Sequence, residues 1–150
     1  MLDSHAIRGL VPHHGAMCLI DAVEFFDAAT IVCTTAQHRS SGNPLVLEGR
    51  LSSVHAIEFA AQAMAIHGAL VNATRHAKPR VGLLVSARDC HFHCDRLDQV
   101  AGDLHVNAQR LAGSEIMLMY GFSVSAGARR LAEGRVSVLL RDTANEDAGR

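Results

Sequence analysis

Ser52-Ser53-Val54-His55-Ala56-Ile57-Glu58-Phe59-Ala60-Ala61-Gln62-Ala63-Met64-Ala65-Ile66-His67-Gly68-Ala69-Leu70-Val71 is the stretch whose reading decides the fold. It is rich in Ala, Met, Leu and Ile, contains no proline, holds glycine only at Gly68, and opens on serines able to cap a helix. It predicts one long helix running to about Thr74. At ~100° per residue, His55, Glu58 and Gln62 fall within roughly 60° of one another, while the rest of the circumference is almost wholly apolar. So apolar a helix is buried. Polar side chains along one stripe of a buried helix either find partners inside a core or line a cavity.

Outward from this helix the chain reads as β-structure. On the N-terminal side, residues 4–10 predict a short helix or turn ended by Gly9 and Pro12, and residues 11–15 an irregular link. Residues 16–25 are apolar and β-compatible; Asp27-Ala28-Ala29 separates them from a second strand at 30–36, making a hairpin. Residues 37–50 shift to Ser, Gly, Asn, Pro and charge, the chemistry of a loop. Beyond the helix, Arg75-His76-Ala77-Lys78-Pro79-Arg80 is a short basic link, and 81–86 is a continuous apolar run. Leu104, Val106 and Ala108 then alternate with His105, Asn107 and Gln109. Ile116, Leu118, Tyr120, Phe122 and Val124 share a face after a Gly113-Ser114 turn, as do Ala132, Val136, Val138 and Leu140 after Gly127-Ala128. This is an antiparallel meander. The expected fold is α+β: residues 1–141 form one hot-dog domain, an antiparallel sheet wrapped around one central helix, and the polar tail 142–150 is expected to be disordered. Hot-dog subunits usually pair edge to edge, so a dimer with active sites between subunits is expected.

Composition narrows the function. The formal charge of −1 and the 4% aromatic content leave neither the field nor the stacking surface that nucleic-acid binding uses. The first residues, Met1-Leu2-Asp3-Ser4-His5, lack a basic segment followed by an apolar one, and no run approaches ~18 uninterrupted apolar residues. These features predict a soluble, cytoplasmic protein with no membrane span. Cys18, Cys33, Cys90 and Cys94 sit in apolar or alternating segments, as reduced thiols do, and no disulfide is expected. Cys90-His91-Phe92-His93-Cys94-Asp95 has the composition of a metal site. On a strand, however, Cys90, Phe92 and Cys94 would point one way and His91, His93 and Asp95 the other, so no single face presents four zinc ligands; a two-histidine site completed by another chain stays open, but no metal is expected and a strand at a dimer seam is preferred.

Two motifs resemble a known family, the bacterial 3-hydroxyacyl-acyl-carrier-protein dehydratases of the hot-dog superfamily. Val11-Pro12-His13-His14-Gly15-Ala16-Met17-Cys18-Leu19-Ile20-Asp21 is similar to their Leu-Pro-His-Arg signature followed by an apolar strand ending in Asp. Glu58-Phe59-Ala60-Ala61-Gln62 is similar to the Glu-x-x-Ala-Gln of their central helix. The match is closer to a divergent, dehydratase-like branch found with aryl-polyene and related type II fatty acid or polyketide synthesis. Its members carry a similar Pro-His-x-Gly-x-Met-Cys-Leu stretch and a similar helix over residues 57–68. One departure matters: active dehydratases carry Gly-His-Phe-Pro-Gly on the loop before the helix, and here Ser41-Gly42-Asn43-Pro44-Leu45 has no histidine.

Dehydration of a 3-hydroxyacyl thioester needs a base for the α-proton, an acid for the departing hydroxyl, and polarisation of the thioester carbonyl. The resemblance implies Glu58 as the acid and no cofactor. For the base the candidates are His13, His38 and His55; His13 is favoured because it accompanies the helix motif in the divergent branch. His38 could swing from its loop towards the site, His55 lies one turn before Glu58, and Gln62 would fix Glu58 or a backbone group. His67 reads as a satisfied core or interface residue. Catalytic Glu58 and His13 are thus expected to be flanked by substrate-binding His38, His55 and Gln62. The implied partners are an acyl carrier protein bearing a 3-hydroxyacyl chain, for which Arg75, His76, Lys78 and Arg80 offer a docking surface, and a second hot-dog subunit in a homodimer or heterodimer. Two other classes stay open: a hot-dog thioesterase, in which the helix carboxylate activates water or attacks the thioester, and a non-catalytic partner of an active dehydratase.

Overall fold

The computed structural model describes residues 1–10, 15–78 and 80–142. Ser52 accepts a hydrogen bond from the Val54 N–H (3.4 Å) and starts a 3-10 turn, Ser53–His55, which passes directly into the helix α2, Ala56–Thr74. At 1.5 Å per residue this helix is about 28 Å long. Its apolar side chains Phe59, Ala60, Ala63, Met64, Ile66 and Leu70 enter the core, and it packs on four of the six strands. A shorter helix, α1, covers Ser4–Arg8 and buries Ile7.

The strands are β1 Ala22–Phe26, β2 Thr30–Thr35, β3 Arg80–Phe92, β4 Leu104–Gly113, β5 Met117–Ala126 and β6 Arg129–Asp142. They form one sheet in the order β1-β2-β4-β5-β6-β3, every neighbouring pair antiparallel. Strand period sorts the faces. Val106 and Ala108 of β4 and Leu118, Tyr120, Phe122 and Val124 of β5 point at α2, while Asn107, Gln109, Met117 and Met119 point outward. One sheet around one helix is the hot-dog arrangement.

Three expectations are corrected. Residues 16–25 are not one strand: Gly15–Met17 is a 3-10 turn and β1 begins only at Ala22, because Leu19 is held by the Gln62 and Thr35 side chains and backbone bonding to β2 starts only at Asp21. Asp142 belongs to β6, paired with Arg80 across the sheet (Nε–Oδ1 3.2 Å), whereas the rest of the proposed tail lies outside the described residues. The simple alternation expected over residues 90–95 is interrupted: β3 ends at Phe92, and its register slips between Arg88 and His91, where Asp89 takes φ of 52°. By length and composition alone Ser53–Thr74 matches a membrane span, yet it holds no unbroken apolar run and its apolar side chains are covered by the sheet.

Candidate active site

Glu58 lies in the first turn of α2 and is half-buried. Beside it the buried Gln62 side chain makes three hydrogen bonds. Its Oε1 accepts from the Leu19 N–H (2.8 Å), and its Nε2 donates to the Met17 carbonyl (2.7 Å) and to Glu58 Oε1 (3.1 Å). A backbone N–H only donates and a carbonyl only accepts, so the orientation of this amide follows from its partners. Glu58 is therefore joined through one side chain to the segment that enters β1.

That segment is pinned from its other side. The Thr35 hydroxyl donates to the Leu19 carbonyl (2.5 Å), and Asp21 accepts from the Ala36 N–H (2.7 Å) and from Gln37 Nε2 (2.9 Å). The Asp that closes the N-terminal motif thus anchors the end of β2 rather than taking part in chemistry. The loop before α2 is fixed as well. Leu47-Glu48-Gly49-Arg50 is a two-residue hairpin with positive φ at Glu48 and Gly49 (51° and 74°), a conformation that glycine adopts freely. Asp98 accepts from the Leu51 N–H (2.9 Å) and pairs with Arg96, which also donates to the Gly49 carbonyl (3.3 Å). The Arg96 guanidinium holds the Asp98 carboxyl well below the usual carboxylate range. Nothing in the spacing of Arg96 and Asp98 announces that they brace a loop about 47 residues earlier.

The candidate residues do not all converge. His55 ends the 3-10 turn one helical turn before Glu58, half-buried, and its side chain makes no capping bond. His13 lies outside the described residues. His38 does not turn towards the Glu58 stripe: its ring is fully buried, Nε2 donates to the Val100 carbonyl (3.1 Å), and burial pushes it down, towards the neutral form. His67 is a satisfied core residue. It bonds Tyr120 (2.7 Å) and the Asp27 carbonyl (2.8 Å) and lies about 180° around the helix from Glu58. Met17 and Val54, both more than a third exposed, leave apolar side chains uncovered near the stripe. Among the described residues, no three His, Cys, Asp or Glu side chains are grouped to hold a metal ion.

The model of the ApeP-like family, described as ApeP dehydratase, matches residues 5–148. The chain belongs to the ApeP-like dehydratase family. No curated protein matches it. Among solved structures, the ApeP-like chain is similar to the dehydratase heterocomplex ApeI:P from Xenorhabdus doucetiae, with a TM-score of 0.83 and 19% identity, covering 96% of this chain and 97% of that one. It is also similar to a hypothetical thioesterase crystallised with coenzyme A from Streptococcus pneumoniae (TM-score 0.59, 10% identity, 81% and 85% covered). A thioesterase from Pseudomonas aeruginosa is similar at a TM-score of 0.56 and 12% identity, with 81% and 80% covered. At these identities the structures share the hot-dog fold with the ApeP-like chain; the family match is what separates dehydratase-like from thioesterase-like members.

Proposed function

We propose that this chain is a 3-hydroxyacyl-acyl-carrier-protein dehydratase, or the dehydratase-like subunit of one, serving fatty acid, polyketide or aryl-polyene synthesis. The observation that carries the reading is Glu58, a half-buried carboxyl hydrogen-bonded to Gln62 on a largely apolar helix. In this reading a base removes the α-proton of the thioester and Glu58 protonates the departing β-hydroxyl. The C–H and C–O bonds break, the carbon–carbon double bond forms, and water leaves. Backbone N–H groups at the start of α2 supply the kind of donors that polarise the thioester carbonyl. His13 is the favoured base, because it accompanies the helix motif in the divergent branch that the chain resembles. His55 is the runner-up.

A second hot-dog subunit is the proposed partner, as the ApeI:P heterocomplex suggests. Its support here is β3: a 13-residue strand at the edge of the sheet, with no strand on its far side among the described residues and with Leu83, Leu84, Val85 and Phe92 exposed. Such an edge is a template for strand pairing. The acyl carrier protein would meet the basic link at Arg75, His76 and Lys78, because Arg80 already pairs with Asp142. A salt-sensitive pull-down of the carrier that is lost on charge reversal of Arg75 and Lys78 would support this surface, and an unchanged pull-down would remove it.

The protein, alone and with its hot-dog partner, is to be incubated with a 3-hydroxyacyl carrier substrate and the products read by mass. Loss of water is the expected outcome, and Glu58→Ala should lower it by roughly 10²–10⁴-fold. Release of the free acid would instead assign a thioesterase. Dehydration untouched by Glu58→Ala would overturn the proposal.

A further inference from the structure

The outward face of the sheet is divided by chemistry. Cross-strand partners share a face, so the register of β3, β6, β5 and β4 orders it into rows. One row is Leu83, Leu139 and Met117; the next is Ser86, Ser137, Met119 and Ala112; the third is Arg88, Arg135, Gly121 and Gln109. Leu111 leans onto the same face, because a Cβ at Gly121 would lie 3.5 Å from its Cδ1. Leu83, Leu111, Met117 and Met119 are between 38% and 51% exposed and form an apolar stripe across the strands. On the side away from Arg88 the stripe is bounded by Arg141, two residues past Leu139, and by Glu115, two residues before Met117. Arg88, Arg141 and Glu115 are exposed and make no ion pair among the described residues. Residues 143–150 hold no large apolar side chain with which to cover the stripe.

We propose that this face binds a second copy of the chain, back to back, about a two-fold axis along the seam of β5 and β6. Such an axis lays β6 over β5 of the second copy, and β3 over its β4, at equal heights along the strands. Leu139 then meets Met117, Arg88 comes opposite the Gln109 amide, and Arg141 comes opposite Glu115. A two-fold across the strands would instead set Arg141 against the row of Arg88 and Arg135, like charge on like. The face also carries both signs, with Arg135 paired to Asp89 (2.8 Å) and Arg130 to Glu133 (3.1 Å), which leaves little net charge to draw an acidic protein or an anionic membrane. The stripe with its flanking charges spans roughly 19 Å by 20 Å, about half of the ~800 Å² per partner of a standard interface. The pairing is therefore weak and forms at high protein concentration. It leaves the β3 edge free, so two edge-paired hot-dog units can join through it, and it stands apart from the role of Glu58.

Sedimentation velocity over a concentration series reads the pairing as a doubling of whatever unit the β3 edge sets. Wild type should double at high concentration, and Met119→Asp should abolish the doubling while leaving the unfolding midpoint in place. Arg141→Glu puts two carboxylates face to face, and Glu115→Arg two guanidinium groups; each should weaken the doubling by roughly tenfold or more. A mixture of these two variants matches opposite charges at both symmetry-related contacts, so it should double as wild type does. Mixing cannot repair a defect confined to one chain, which makes this restoration the deciding result. Single variants that double like wild type, or a mixture that stays as weak as its components, would overturn the proposal. So would a wild type that never doubles yet sediments with phosphatidylglycerol vesicles through this face, which would make it a lipid contact.

Discussion

His67 shares α2 with Glu58 and has a different task. Its Nε2 faces the Asp27 carbonyl and must carry the proton; Nδ1 then accepts from the Tyr120 hydroxyl, whose oxygen in turn accepts from Arg110 Nη2 (3.3 Å). A protonated His67 would turn the Tyr120 hydrogen away, towards a guanidinium that has only donors to offer, so the network admits the neutral ring. Burial pushes His67 down, as it does His38, while burial pushes the Tyr120 phenol up. The unfolded chain therefore binds protons at these histidines at a higher pH than the folded one. Their contribution is fully present above the unfolded value of about 6.5 and is lost as pH falls below it. Urea denaturation at a series of pH values should show stability declining from about pH 7 towards pH 5, and a flat profile would contradict the network. Tyr120→Phe leaves His67 Nδ1 and Arg110 without their partner in a buried place and should cost about 1–3 kcal/mol in the same measurement.

Among the elements, β6 runs between β3 and β5 with no room to spare at Gly134. A Cβ there would come within 2.6 Å of Cys90 Sγ, 2.9 Å of Phe122 Cε1 and 3.1 Å of the Cys90 Cα, a backbone atom that cannot swing aside. Gly134→Ala should destabilise by about 1–3 kcal/mol through overpacking, read as a lowered midpoint of thermal unfolding, with an unchanged midpoint counting against the packing. Period and composition made most elements legible. The end of α2 at Thr74, the β1–β2 hairpin and the inward faces of β4 and β5 follow from apolar spacing, a local property. Residues 16–21 escape that spacing because their order comes from Gln62, Thr35, Ala36 and Gln37, partners distant in sequence, and no local pattern encodes such bonds. For the same reason the candidate site was half legible. The residue types on one helical stripe pointed to Glu58 and Gln62, but the spacing could not show that Gln62 is spent on Met17, Leu19 and Glu58, nor that His38 is spent on Val100.

For the whole molecule the asymmetry of the sheet matters most. One edge is the short β1, bridged by Leu2 at Val23; the other is the long and apolar β3. Val85 falls where the β3–β6 register slips between Leu84 and Ser86, and is 51% exposed. Val85→Asp places a charge on this edge and should weaken association with a hot-dog partner by roughly tenfold or more without lowering the unfolding midpoint, as sedimentation over a concentration series would show; equal association would point to another surface. The central helix carries a further consequence for how the chain is made. Its last residue, Thr74, leaves the ribosome before any of β4, β5 and β6, which begin at Leu104 and end at Asp142. At roughly 5–20 residues per second, a segment as apolar as a membrane span spends several seconds without its wrapping. A chain stopped after residue 101 should then sediment with membranes or aggregates, and the nascent protein should depend on whatever shelters that helix until the last strand arrives.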